Sequence, residues 1–363
     1  MKSGFLHSTF PICFVANDKI FVFQKGKFMI YDTRKNKFDF VVNYYTSYFN
    51  WFIYKFDILS RIFRKGVRCG CLLSNNIVLV CLDKTIFEID LKAKSLSCGF
   101  KAHDESRPLA FTKLHGIEGF DNGIYFGGYK SNPSKGPISI FRRISKDNWV
   151  VVFTFAEGEI EHVHNIVSDP YKNVVYIFTG DFENSSAIWL AENNFTSVKA
   201  VVRGDQMYRA CVGFSTLDGL VYATDTPFSK NSIRLLNQNE GLWNSSLIQN
   251  INGPSIYGCI WNDKFVFSTS VEGDGRDINL WYKLFGRLRG KGVLDNHSVM
   301  YIGDHKIGFE QMYKVRKDIL PFYLFQFGVL IFPAGDILSD FLPVYHIATR
   351  KYSMGTKLLV RQV

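Results

Sequence analysis

The sequence predicts an all-β propeller of six or seven blades with one inserted amphipathic helix. A polar turn recurs about every 45 to 50 residues, a period of repeat architectures. The turns are Asn17-Asp18, Asn75-Asn76, Asp121-Asn122-Gly123, Asp169-Pro170, Asp218-Gly219 and Asn262-Asp263. Each is followed by a β-rich run, seen most clearly at 124–129, 174–181, 220–226 and 265–273. Aromatic residues make up 16% of the chain, with 34 Phe, and such flat, bulky side chains suit pleated surfaces. A propeller arranges blades of four strands around a central channel and grows by adding blades. A chain of 363 residues can therefore exceed the usual single-core limit and still be read as one domain over 1–363.

Taken in order, the N-terminal run is interrupted by His7, Ser8, Thr9 and Pro11, which makes a poor signal peptide, and 14–23 reads as strand, turn, strand. Segment 44–68 is the helix, an insertion over about 44–66 after the first blade. Phe52, Phe56, Leu59, Ile62 and Phe63 fall on one face at helical spacing, and Arg61, Arg64 and Lys65 precede Gly66, which suits a C-terminal cap. One reading packs this helix against the propeller flank. The other rests it on an anionic membrane surface through its basic residues and Tyr44, Tyr45, Tyr48, Trp51 and Tyr54. The apolar stretch 319–335 contains Pro321, Gln326, Gly328 and Pro333, so it reads as core strands and not as a membrane span.

Seven cysteines, at 13, 69, 71, 81, 98, 211 and 259, are odd in number and lack paired zinc spacing, which predicts free thiols in the cytoplasm. The sequons at Asn184, Asn194, Asn244 and Asn296 matter only for a secreted protein. The net charge of +10 favours polyanions, but the basic residues are scattered without a nucleic-acid motif, so nucleic acid is not the expected partner.

The start of each first strand and the end of each second strand reach the same face of a propeller. The starts supply Arg107, His162, His164, Tyr208, Arg209 and Tyr257, and the ends supply Tyr129, Asp181, Asp225, Glu272 and, least regularly, Asp336. Such a mixture is costly to bury unpartnered, so its concentration at one channel mouth predicts a ligand site. His162 and His164 are two apart and share one side of a strand, which suits either a divalent metal with Asp181 or Glu161, or hydrogen bonds to the next blade. The residues do not name a cofactor, and spacing alone assigns no metal ligand. Asp181 and Asp225 also fit Asx-turns, and Arg107 and Arg209 fit either blade braces or bidentate anion holders. Glu157, Glu159 and Glu161 read as a solvated turn, with one of them available as a general acid or base.

Over about 103–285 the chain resembles the sialidase-like propellers with BNR-type repeats, in particular a bacterial subset. The residues that carry the resemblance are Gly127-Gly128-Tyr129-Lys130-Ser131-Asn132, His162-Val163-His164-Asn165-Ile166-Val167-Ser168-Asp169-Pro170-Tyr171, Thr179-Gly180-Asp181, Tyr208-Arg209-Ala210 and Thr224-Asp225-Thr226-Pro227. Ser145-Lys146-Asp147-Asn148-Trp149 keeps only the serine, aspartate and a displaced tryptophan of the repeat box. The ordered arginine triad and nucleophile set of a true sialidase is missing. The resemblance implies a carbohydrate context, capsule or lipopolysaccharide assembly, peripheral to the inner membrane.

The expected function is glycosyl transfer or glycosidic cleavage on acidic surface polysaccharide or its lipid-linked precursor. Arg107 and Arg209 would hold the anion, with Tyr129, Tyr208 and Tyr257 lining the site. His162 or His164 would serve as acid or base, and Asp181, Asp225 or Glu272 would act at the sugar centre. The ligand would be a glycan or nucleotide sugar. Two alternatives stay open: a non-catalytic glycan-binding or scaffold propeller in polysaccharide assembly, and a metal-dependent polysaccharide lyase with both histidines as ligands.

Overall fold

A computed structural model describes residues 4–44, 47–274 and 279–360. It is a seven-bladed propeller, each blade a four-stranded antiparallel sheet. Blade one holds Thr9–Ala16, Lys19–Gln24, Lys27–Asp32 and Lys37–Asn43. Blades two to six repeat that hairpin order, with first strands Val67–Ser74, Thr112–Leu114, His162–Asp169, Ala210–Thr216 and Ser255–Trp261. Blade seven is composite: Val329–Ile331, Phe341–Ile347 and Gly355–Val360 are completed by Phe5–Leu6, whose residues pair with Lys357 and Thr356.

All six polar turns join the first and second strands of blades one to six. Asparagine and aspartate suit these turns because they tolerate the left-handed region, as Asn262 (φ 46°) and Asp263 (φ 62°) do. Blade seven has no such turn; residues 332–340 link its first two strands. The predicted core strands of 319–335 resolve into a short helix, Phe322–Phe325, and the strand Val329–Ile331. That strand is a first strand, so Asp336 follows it at the turn end. The backbone of Ile337 there bridges Trp261, and Asp336 does not reach the channel mouth.

Adjacent blades bury their faces against each other, for example through Phe21, Phe28, Val78 and Val80, all fully buried. First strands crowd around the axis, and this explains glycine at the fourth position of three of them. A Cβ on Gly213 would stand 2.8 Å from Phe178, and one on Gly258 2.6 Å from Val212.

The helical insertion falls between blades one and two but breaks at Phe56 into α1 (Tyr48–Lys55) and α2 (Asp57–Ile62). Ser47 caps α1 by accepting from the Asn50 amide. The predicted apolar face is largely the outward one. Phe52, Phe56 and Phe63 are about half exposed, at 49%, 47% and 49%, whereas Ile53 and Tyr54 face the propeller. Tyr54 joins the core between blades one and two. The register is set by Arg61, which is buried, bonds the Phe325 carbonyl and lies 2.8 Å from Asp318. Tyr45 lies outside the described residues.

Two further helices were not anticipated, α3 (Leu280–Phe285) inside blade six and α4 (Phe322–Phe325) before blade seven. They meet the first insertion: Tyr282 and Tyr323 have ring centroids 5.7 Å apart, and Arg64 donates to the Tyr323 carbonyl. Leu280, Trp281 and Leu288 on this second insertion are each more than 70% exposed. Among the described residues, no helix is long and apolar enough to cross a membrane.

Candidate functional site

The first strand of blade four opens with His162 and His164, and a β-bulge between Val163 and Asn165 bends the strand there. The His164 ring lies against Gly180 on the neighbouring strand, where a Cβ would stand 2.4 Å from its Cε1. Glycine at 180 is thus required for the ring to sit where it does.

Each Nδ1 faces a backbone carbonyl, that of Lys130 at 3.2 Å for His162 and that of Ala210 at 3.0 Å for His164. A carbonyl only accepts, so each Nδ1 carries the hydrogen and each neutral ring presents a lone pair at Nε2. Those two Nε2 atoms are 3.0 Å apart. His164 Nε2 is 3.1 Å from Asp181 Oδ1, and His162 Nε2 is 3.5 Å from Asp181 Oδ2. Three acceptors therefore converge with no proton of their own between them, on two rings that are 6% and 3% exposed. Two ring nitrogen lone pairs 3.0 Å apart need a partner between them, either a second ring proton or a cation. Ring N–H groups tied to backbone carbonyls are the outer support that metal-bound histidines use. A second donor set, His164, Cys211 and Asp225, overlaps the first, with the ligand atoms of each set within 4.8 Å of one another.

Arg209 sits behind this centre. Its Nη2 is 3.0 Å from Asp181 Oδ1, Nη1 donates to the Asp181 carbonyl, and Nε is 3.7 Å from Asp225 Oδ2. Burial alone would lower its pKa, but Asp181, Asp225 and Glu272 outweigh burial and raise it. Burial likewise works against the Asp181 carboxylate, and the Arg209 charge with the two histidines still holds it well below its ordinary value. Glu161 accepts from the Asp181 amide at 2.9 Å, so this glutamate positions the aspartate, while Glu159 caps its own turn at Ala156. The Cys211 thiol donates to Asp225 at 3.1 Å, and burial followed by that carboxylate pushes its pKa well up.

Glu272 accepts from Ser270 Oγ at 2.6 Å. Burial and then the Asp225 charge raise its pKa from 4.5 to about 8, so it carries a proton at neutral pH. The folded state then holds a proton that the unfolded state has released. Stability from this group is complete below pH 4.5 and falls as pH rises through 8. The span is worth up to about 5 kcal/mol. Glu272→Gln is expected to flatten this fall, read as urea midpoints from pH 5 to 9; an unchanged slope would show that Glu272 ionises normally.

The other predicted residues divide. Arg107 and Tyr129 pair through their backbones, and with Tyr257 they line a cavity of about 360 Å³ beside the histidine centre. The Tyr129 ring centroid is 4.3 Å from that of His162, and burial pushes its hydroxyl up to about 12, leaving a protonated phenol. Tyr208 is placed elsewhere. It ends a 3-10 turn, Gln206–Tyr208, and packs on the core of Tyr176, Phe178 and Tyr222 between blades four and five. Arg209 is occupied by Asp181 and Asp225 and is not free to hold a ligand anion. Sequence reasoning missed Cys211, Arg64 and Arg68. The basic excess at 61–68 was visible, but it reads as helix polarity until the fold folds it over the channel.

No protein-family model and no curated protein matches the chain. Solved structures match in fold. An oligogalacturonate lyase in complex with manganese aligns at TM-score 0.54 and 11% identity, covering 99% of this chain and 91% of that one. A hydrazine synthase of Kuenenia stuttgartiensis aligns at 0.57 and 9%, covering 99% and 97%. The AfRom2 CNH domain aligns at 0.56 and 7%, covering 99% and 97%. At these identities the likeness extends to the propeller fold alone.

Proposed function

We propose that this propeller is a metal-dependent glycan-active enzyme that acts at its channel mouth on an acidic surface polysaccharide or its lipid-linked precursor. The observation that carries the reading is the convergence of His162 Nε2, His164 Nε2 and Asp181 without a proton between them. His162, His164 and Asp181 would hold the metal, with Cys211 and Asp225 beside them. Two imidazoles and a carboxylate suit a divalent ion of the manganese, iron or zinc type. Such an ion would supply positive charge to a sugar carboxylate.

Elimination fits the remaining residues better than hydrolysis. A glycosidase needs two free carboxyl groups flanking the bond. Here Asp181 is bound by Arg209 and the histidines, and Asp225 is held by Cys211 and Arg209 through Oδ2 alone, its Oδ1 being buried without a partner. In such an elimination the proton alpha to the sugar carboxylate would pass to Asp225 Oδ1, the C–O bond to the leaving sugar would break as the double bond forms, and Glu272, the carboxyl that keeps a proton, would protonate the leaving oxygen. The fold shared with an oligogalacturonate lyase, and the carbohydrate context implied by the sialidase-like resemblance, support the reading without deciding it. The outward aromatic and basic residues of both helical insertions support work at an anionic membrane surface.

The test is incubation with polygalacturonate and other uronate oligosaccharides, with and without added manganese. Ultraviolet absorbance of an unsaturated uronate that vanishes with chelator is the expected result. Reducing ends without that absorbance would replace elimination by hydrolysis, and no product from any acidic glycan would favour a binding module.

A further inference from the structure

We propose that Arg64, Arg68 and Arg107 form a phosphoryl-binding site in the cavity under the first helical insertion. The inference rests on the glycan reading only for the sugar attached to the phosphoryl group; the anion site stands on its own geometry. The three arginines come from three places: the turn after α2, the first strand of blade two, and the segment before blade three. All three line the cavity of about 360 Å³, a size typical of small-ligand sites.

The charges in this cavity are not balanced. Lys25, Arg64, Lys65, Lys84, Arg68 and Arg107 line it against only Asp57 and Asp83. Lys65 is taken by Asp83 at 2.9 Å and Lys84 by Glu105 at 2.6 Å, while Asp57 accepts from Ser8. Arg68 and Arg107 make no ion pair or side-chain hydrogen bond among the described residues, and Arg68 Nε is fully buried without a partner. Arg68 instead lies over the Tyr129 ring, 4.8 Å from its centroid. Burial first, and then repulsion from Arg68, lowers the pKa of both Arg64 and Arg107. The fold holds like charges together at a loss of stability, as binding sites do.

A ligand that relieves this arrangement carries at least two negative charges close together and accepts several guanidinium forks, which describes a diphosphate or phosphate ester better than a single carboxylate. Tyr129 bounds this cavity and its ring also packs, tilted, against His162, so a phosphoryl group held here leaves its sugar next to the histidine centre. Two sources share the chemistry, a nucleotide sugar and a lipid-linked sugar. The exposed Phe56, Ile58 and Phe63, in and at the two ends of the helix that precedes Arg64, suit the second.

The experiment is calorimetry of metal-free protein with inorganic pyrophosphate, repeated with galacturonate, uridine diphosphate, and a prenyl diphosphate carried in phosphatidylcholine vesicles. Pyrophosphate is expected to bind and galacturonate not to compete. Arg68→Gln and Arg107→Gln are each expected to weaken pyrophosphate at least about tenfold. Without ligand, Arg68→Gln is expected to melt about 2 °C higher, because a repelling charge is gone. His162→Ala is expected to bind pyrophosphate as the parent does, which separates this site from the metal reading. Stronger binding of the vesicle-borne diphosphate than of uridine diphosphate assigns the lipid source, and the reverse assigns the nucleotide; vesicles without diphosphate give the background. Pyrophosphate heat that is absent, or unchanged by both arginine substitutions, or matched by galacturonate, would overturn the proposal.

Discussion

Arg209→Ala is expected to destabilise the protein by about 3–5 kcal/mol, the usual consequence of removing one partner from a buried charge network. Arg209 is 9% exposed and faces Asp181 at 3.0 Å and Asp225 at 3.7 Å, and Glu272 adds to the same field once it ionises. Without the guanidinium, the two aspartates and any ionised Glu272 repel one another where burial leaves little water to screen them. Arg209→Lys should recover only part of the loss, since a single ammonium cannot meet Asp181 at both its carboxylate and its carbonyl while staying within reach of Asp225. Urea unfolding at neutral pH measures both variants. A loss below about 1 kcal/mol would mean that water or a cation, and not Arg209, neutralises these carboxylates.

His164→Ala is expected to lower divalent-metal affinity by more than about a hundredfold, because it removes a ligand and not merely the outer support, whose loss alone costs ten- to hundredfold. His164 is the member common to both donor sets, so its removal leaves neither complete. Metal at about a hundred times its dissociation constant should stabilise the parent by about 2.7 kcal/mol, and this increment should vanish in the variant. Thermal unfolding with manganese, zinc or calcium, set beside metal analysis of the dialysed protein, reads both quantities. If no metal shifts the parent, a second ring proton bridges the two Nε2 atoms. The histidine centre is then an imidazolium clamp on Asp181, and the metal-dependent reading fails.

The propeller was legible because each of six blades places Asn, Asp or Gly in the link between its first two strands, and such residues are visible whatever surrounds them. Blade seven was not, because its first hairpin is replaced by the longer link of residues 332–340 and its last strand comes from the other end of the chain. The grouping of His162, His164, Asp181, Asp225 and Glu272 followed from the geometry of strand ends. Which of the polar residues neutralise one another did not follow, since that depends on distances between blades. Arg209 thus turned inward as a brace, and Tyr208 packed between blades. The helix was placed correctly between blades one and two, yet its buried side was misjudged. Spacing marks an apolar stripe, but here buried Arg61, bonded to Phe325 and Asp318, sets which side faces the propeller and leaves much of that stripe outside.

The latch made by Phe5–Leu6 on Gly355–Val360 also constrains the order in which the ring can be completed. Phe5–Leu6 pairs with a strand made far later in the chain, so the circle stays open until Gly355–Val360 is made, and that strand keeps an unsatisfied hydrogen-bonding edge until the two segments meet. Such distant pairing is slow to form. An open ring with a bare edge is also the species most prone to add a strand from a neighbouring chain. A peptide copying the latch would compete for that edge during refolding, while a tag fused close to residue 4 would hinder closure more than one placed at a turn on the opposite end.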